Sequence, residues 1–284
     1  MENSIEIRNI TCRYPSFSLE NVSLDVPCGT VMGLIGENGA GKSTLIKAVL
    51  GLLRPVSGSI TVLGEDSTRL SPEVKSRIGV VFDEMPFPKE LTVKQLGKVL
   101  VGIFPNWNDV KFSGYIDRFG LPLDKKVGSF SRGMQMRLSI AAAMSHAPQL
   151  LVLDEPTGGL DPVMRSEILD MLLEFMQDES RSILISTHIT SDLEHIADYI
   201  GFIHRGRLKF CQERNELMDQ HRILKCTDEQ LSLIDPADII GKRNGRFTNE
   251  VLTQNFTKYP DIAQDTPSID ELMVYYVKDE GGRS

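Results

Sequence analysis

Val31-Met32-Gly33-Leu34-Ile35-Gly36-Glu37-Asn38-Gly39-Ala40-Gly41-Lys42-Ser43-Thr44 is the stretch whose reading decides the fold. Val31 to Ile35 is a short apolar run that reads as a buried strand, Gly36 to Gly41 is glycine-rich, and KSTLIKAVLGLL from Lys42 has helical character. The eight residues Gly36 to Ser43 match the pattern GxxxxGK[ST] in the context its mechanism requires, after a strand and opening a helix. The glycines let backbone N–H groups turn inward around phosphates, and the helix N-terminus adds partial positive charge. Lys42 reaches the terminal phosphates and Ser43 offers its hydroxyl to Mg²⁺. Gly36, Asn38, Gly39, Ala40, Gly41, Lys42, Ser43 and Thr44 are the expected nucleotide-binding residues.

Upstream, Ile5 to Val26 alternates apolar and polar residues around the breaker-rich RYPSFS, which predicts antiparallel strands. Downstream, Ile78–Phe82, Leu150–Leu153, Ile183–Ser186 and Tyr199–Ile203 are short, apolar and separated by helix-period sequence. Strands alternating with helices imply a mainly parallel sheet covered on both faces. From Glu84 to Ala147 the strand signals stop and the chain reads as helices broken by prolines and glycines. Past about Arg214, Asn244-Gly245 is a hairpin signal, and Ser268-Ile269-Asp270-Glu271 has the form of a capping box before Leu272, Met273 and Tyr276. The expected fold is therefore α/β: a P-loop NTPase (RecA-like) core with an antiparallel β subdomain, a helical insertion and a small C-terminal α+β appendage. The boundaries read as 1–215 for the nucleotide-binding domain, with the helical subdomain at about 84–147, and 216–284 for the appendage.

Leu150-Leu151-Val152-Leu153-Asp154-Glu155 supplies the second piece of chemistry. An apolar strand ends in two carboxylates, at the edge of the sheet where ligands collect in open α/β folds. Asp154 is placed to hold Mg²⁺, and Glu155 to orient and deprotonate an attacking water.

Composition narrows the function from another side. The chain has 284 residues with 31 Lys and Arg against 39 Asp and Glu, a formal net charge of −8. That balance argues against a protein that coats nucleic acid, which needs a dense basic surface. No apolar run approaches the roughly 20 residues that span a bilayer, and the first residues, MENSIEIRNI, carry no secretory pattern, so a cytoplasmic location is expected. Cys12, Cys28, Cys211 and Cys226 are scattered without metal-ligand spacing and read as reduced thiols.

Over residues 1 to 215 the motif set resembles an ATP-binding cassette (ABC) ATPase. Phe130-Ser131-Arg132-Gly133-Met134-Gln135 stands where that family places its LSGGQ signature. The resemblance implies that Ser131 and Gly133 meet the γ-phosphate of ATP held by a second cassette, and hence a homo- or heterodimer. It also makes Asp161, after Gly158-Gly159-Leu160, the residue of the loop linking two active sites. His188 resembles the switch histidine, and Tyr14 the aromatic residue that stacks on adenine. One departure stands out: where the family usually has a glutamine, here Ile78-Gly79-Val80-Val81-Phe82 runs into Asp83. A carboxylate there is still able to ligate Mg²⁺.

ATP and Mg²⁺ are the implied cofactors. SRGM, PTGGLDP and the ending PSIDELMVYYV resemble the ATPases of bacterial ABC exporters for antibiotics, peptides or lipids. The implied partner is then a separate multi-span permease at the cytoplasmic face of the cell membrane, with the Pro86–Thr92 segment PFPKELT forming part of its docking groove. An importer ATPase and a soluble ABC ATPase in iron–sulfur assembly or another non-transport role are the alternatives.

Overall fold

A computed structural model of the chain describes residues 2–245 and 248–278. The chain opens with β1 (Asn3–Tyr14) and β2 (Phe17–Pro27), an antiparallel hairpin closed by Pro15-Ser16, with Tyr14 opposite Phe17. Alternation interrupted by irregularities near Asn9 and Asn21, both at positive φ, buries Ile5, Ile7, Ile10, Leu19, Val22, Leu24 and Val26. The fully buried β3 (Val31–Ile35) leads through the glycine-rich loop into α1 (Lys42–Val49). Next come β4 (Ser57–Val62) and β5 (Glu65–Asp66), which extend the first sheet in the order β2-β1-β4-β5. α2 (Pro72–Ser76), capped by the Ser71 hydroxyl, delivers the chain to β6 (Ile78–Val81).

Three helices follow: α3 (Val93–Val101), α4 (Asp109–Arg118) and α5 (Arg132–Met144). Each begins where a short polar side chain satisfies orphan N–H groups: the Thr92–Gln95 capping box, Asn108 and Ser131. They form the expected insertion. β7 (Leu150–Asp154), α6 (Pro162–Phe175), β8 (Ser182–Thr187), α7 (Thr190–Ile196), β9 (Tyr199–His204) and β10 (Arg207–Glu213) complete the core.

The central sheet runs β10-β9-β3-β8-β7-β6, parallel except for β10 against β9. β3 sits between β9 and β8, and the register pairs Ile35 with Thr187 and Asp154 with Ser186. The ends of β3, β8 and β7 therefore open at one edge of the sheet. One apolar cluster under the insertion and another under the β subdomain cover its two faces.

The last part holds α8 (Arg214–Gln220), β11 (Arg222–Cys226), α9 (Asp228–Leu231), β12 (Gly241–Asn244), β13 (Asn249–Thr253), β14 (Ala263–Asp265) and α10 (Ile269–Lys278). Its antiparallel sheet has the order β12-β13-β11-β14. The expected hairpin is there, but Asn244 pairs with Asn249, so its connection spans residues 245–248 rather than a two-residue Asn-Gly turn. Residues 246 and 247 of that connection lie outside the described residues. The expected capping box is also formed: Glu271 Oε2 accepts from the Ser268 backbone, and Ser268 Oγ accepts from the Glu271 backbone.

One face of the appendage, through Leu224, Cys226, Ile234, Val251 and Ile262, has its own small core. The other face, with Ile223, Leu252, Ile269, Leu272 and Tyr275, joins the apolar cluster of Ile200, Phe202 and Phe210. Phe210 and Tyr276 meet with ring centroids 5.1 Å apart. Among the described residues no helix is long and apolar enough to cross a membrane. All four cysteines are free. Burial pushes the Cys211 thiol up to about 12, and Cys12 and Cys226 upward for the same reason, which keeps them protonated and unreactive.

Candidate active site

The loop from Gly36 to Gly41 wraps tightly because side chains are excluded from it. A Cβ on Gly36 would stand 2.3 Å from the Ile203 carbonyl oxygen. Gly41 takes φ +117° as the N-cap of α1, and a Cβ there would meet Phe17 and Leu19 at 2.9 Å. From below, the Gly206 N–H donates to the Ala40 carbonyl (2.9 Å), tying the loop to the β9–β10 turn. Lys42, only 5% exposed, folds its ammonium back under the loop. Nζ donates to the carbonyls of Gly36 (2.7 Å) and Glu37 (3.3 Å) and stands 3.2 Å from Glu155 Oε1.

The two carboxylates at the end of β7 point into the same space. Ser186 Oγ, one strand over, donates to Asp154 Oδ1 at 2.5 Å. The Glu155 N–H donates to the Ser186 carbonyl (3.0 Å), and Glu155 takes the left-handed φ of +53°, uncommon for a residue with a side chain. Its Oε2 accepts from His188 Nδ1 (2.7 Å) and from the His188 backbone N–H (3.3 Å). An ionised carboxylate only accepts, so Nδ1 is the donor in this pair. Glu155 is thus held between a cation and an imidazole, with its side chain 14% exposed. Behind it, Thr157 Oγ1 donates to Asp192 Oδ2 (2.5 Å), joining the loop after β7 to α7. Burial raises the Asp192 carboxyl above its ordinary range, opposed by Thr157 and by Arg165 at 3.8 Å.

Above this cluster lies a cleft of about 510 Å³ lined by Ser16, Phe17, Glu37, Asn38, Gly39, Gly41, Lys42, Ser43, Thr44, Asp83, Asp154 and Glu155. A neighbouring cleft of about 430 Å³ shares Ser43, Asp83 and Asp154 and extends along Phe82, Glu84, Met85 and Pro86. The fold thus brings together the loop residues, Asp83, Asp154, Glu155 and His188. Gly36 and Ala40 shape the loop from behind.

Tyr14 sits at the rim and does not line this cleft. It ends β1 with 42% exposure, and the aromatic residue lining the cleft is Phe17, the paired residue across the hairpin. Ser131, Gly133 and Asp161 do not line this cleft. Ser131 caps α5, accepting from the Met134 N–H (3.3 Å), and Asp161 caps α6, accepting from the N–H groups of Val163 (3.1 Å) and Met164 (3.0 Å). Sequence reasoning missed Phe17, Ser186 and Arg132. Ser186 had a signal, since a hydroxyl inside the apolar strand SILIST needs a buried partner.

A protein-family model described as "ABC transporter" matches residues 19–158, and one described as "AAA domain, putative AbiEii toxin, Type IV TA system" matches residues 126–191. The chain is 31% identical, over 310 aligned positions and 99% of both chains, to the bacitracin transport ATP-binding protein BcrA of Bacillus licheniformis. The chain belongs to the ABC transporter family. It is 38% identical over 207 residues, 72% of this chain and 88% of the other, to the lantibiotic transport ATP-binding protein SrtF of Streptococcus pyogenes. A solved ATP-binding subunit of an ABC transporter superposes with a TM-score of 0.69 at 26% identity, over 76% of this chain and 92% of that one. The α/β fold with its P-loop is accordingly that of an ABC cassette, and the chain is an ABC ATPase. The similarity to BcrA continues through the appendage, whereas the other two cover about three quarters of the chain.

Proposed function

We propose that this ABC ATPase hydrolyses Mg·ATP to drive a separate membrane permease that exports a peptide antibiotic or a related amphiphile. The observation that carries the chemistry is Glu155 held at the cleft by Lys42 and His188. In that reading the loop N–H groups of residues 38–44 and the Lys42 ammonium bind the phosphates. Ser43, Asp154 and Asp83 offer hard oxygen donors in one place, and no cluster of three or more His, Cys, Asp or Glu able to hold a metal occurs among the described residues. Few protein ligands with room for phosphate oxygens and water suit Mg²⁺. When bound, the ion neutralises phosphate charge and orients the γ-phosphate. Glu155 orients and deprotonates the water, and His188, hydrogen-bonded to Glu155 through Nδ1, holds that carboxylate at the phosphate end of the cleft.

The capped starts of α5 and α6, exposed at Ser131 and Asp161, support the use of Ser131, Gly133 and Asp161 by a second cassette and a dimer as the working unit. Tyr14 and Phe17, facing each other across the hairpin, flank the adenine end. The cleft along Phe82 to Pro86 is the seat for the permease, beside Asp83 and at the cytoplasmic face of the membrane. Residues 1–215 act as the cassette, with the insertion at about 84–147, and 216–284 are an appendage fused to it through α10. The export direction draws on the similarity to bacitracin and lantibiotic transport proteins.

The test is affinity purification of a tagged Glu155→Gln variant from detergent-solubilised membranes in Mg·ATP, with the co-purifying chains identified. A stoichiometric multi-span membrane protein is expected. Recovery with soluble partners alone would overturn the transport reading.

A further inference from the structure

Two residues depart from the family pattern, and the fold joins them. Asp83 stands where a glutamine is usual, and Arg132 stands at the first glycine of LSGGQ. They lie 49 positions apart, Asp83 at the entry to the helical insertion just past β6, Arg132 as the first residue of α5, the helix that returns to the core. Arg132 Nη2 donates to Asp83 Oδ1 in an ion pair whose side chains are about half exposed, 56% and 48%. The guanidinium also lies over Gly158-Gly159: a Cβ on Gly159 would come within 3.3 Å of Nη1, and one on Gly158 within 3.6 Å of Nη2. Asp83 meanwhile lines the phosphate cleft with Ser43 and Asp154. One carboxylate is thus offered to two cations, the guanidinium on the signature helix and the metal of Mg·ATP.

We propose that Asp83 and Arg132 form a latch between the entry to the insertion and the signature helix, opened when Asp83 turns toward the metal subsite. This rests on the ATPase reading above. Arg132 is a positioning residue here, acting through Asp83. Because the two cations compete for one carboxylate, the latch weakens Mg²⁺-dependent nucleotide binding by the same factor by which bound Mg·ATP weakens the latch. A half-exposed ion pair contributes little, on the order of a two- to fivefold effect, which makes it suited to opening in every cycle. Release leaves Arg132 and the Ser131 end of α5 able to shift against the Gly158-Gly159 loop, the region the second cassette faces.

The test is binding of a fluorescent, non-hydrolysable ATP analogue titrated with Mg²⁺, on wild type, Arg132→Ala, Asp83→Asn and the double variant, with thermal melting to verify folding. Arg132→Ala is expected to lower the half-saturating Mg²⁺ about two- to fivefold. Asp83→Asn is expected to raise it, and adding Arg132→Ala to Asp83→Asn is expected to change nothing further. Arg132→Lys, which keeps the charge, is expected to stay near wild type. An unchanged Mg²⁺ requirement in Arg132→Ala would overturn the latch. So would the same shift with and without Asp83, which would mean that Arg132 acts on nucleotide directly. If instead wild type and Lys42→Ala bind the analogue equally poorly, the nucleotide site itself fails, a result distinct from failure of the latch.

Discussion

The phosphate half of the cassette and its signature half are built in opposite ways. The phosphate half is buried and tethered from several directions: Lys42 by two carbonyls and Glu155, Asp154 by Ser186, Glu155 by His188. The signature half is exposed: Ser131 and Asp161 act as helix caps, and Arg132 pairs with Asp83. The tethers hold the carboxylates in place before nucleotide arrives, and Lys42 reaches a phosphate by exchanging one of its three partners. Caps that leave one side open need a partner surface to become part of a site.

The largest effect expected is on the buried half. Glu155→Gln preserves shape and removes the base, so hydrolysis is expected to fall by about 10²- to 10⁴-fold with nucleotide binding retained. Steady-state phosphate release beside equilibrium binding checks this; a variant within tenfold of wild type would place the base elsewhere. Lys42→Ala should instead act on binding, weakening nucleotide affinity by roughly 10- to 100-fold, because a buried cation that contacts phosphate is lost and Glu155 is left without its counter-charge. Fluorescence titration would reveal it, and unchanged affinity would mean that the loop alone holds the phosphates.

The exposed half makes the sharper prediction. Ser131→Ala should leave the nucleotide affinity of the separate chain within about twofold while lowering turnover of the assembled dimer, and should cost about 1 kcal/mol of stability through the lost cap. Affinity, turnover and melting on one preparation separate these effects. Equal losses of affinity and turnover would break the division of labour.

The sequence made the buried half more legible than the exposed half, for physical reasons. β3, β7 and β8 are continuous apolar runs, since both faces of a parallel sheet are covered, and the glycine loop is dictated by local backbone geometry. β4 hid because it begins Ser57-Gly58-Ser59 and turns only Ile60 and Val62 inward. Tyr14 was the more prominent aromatic residue in the sequence, and its cross-strand partner Phe17, which lines the cleft, stood out only once the hairpin paired them. Asp83 was visible as a departure, whereas Arg132 passed unnoticed inside the signature segment. Their pairing depends on how α5 returns across the insertion, a long-range outcome that no local pattern encodes.

The smallest effect concerns the seam between cassette and appendage. His221, fully buried, has Nδ1 2.8 Å from the Leu217 carbonyl, so Nδ1 carries the proton and Nε2 accepts from Tyr276 O–H (2.9 Å) and Gln254 N–H (3.1 Å). Burial holds the imidazole below its ordinary value. A group depressed on folding contributes stability that is present above its unfolded pKa, about 6.5, and lost as pH falls below it toward the folded value. Between pH 6.5 and 5.5 this amounts to at most about 1 kcal/mol. His146, stacked on Phe104 and likewise depressed by burial, titrates in the same direction, so the difference between wild type and His221→Gln isolates the appendage. Melting followed across that window should show a shallower acid slope for the variant. Because Leu272 and Tyr275 share the apolar cluster of β9 and β10, one cooperative transition is expected at each pH. A separate early transition on acidification would show that the appendage is energetically independent of the cassette.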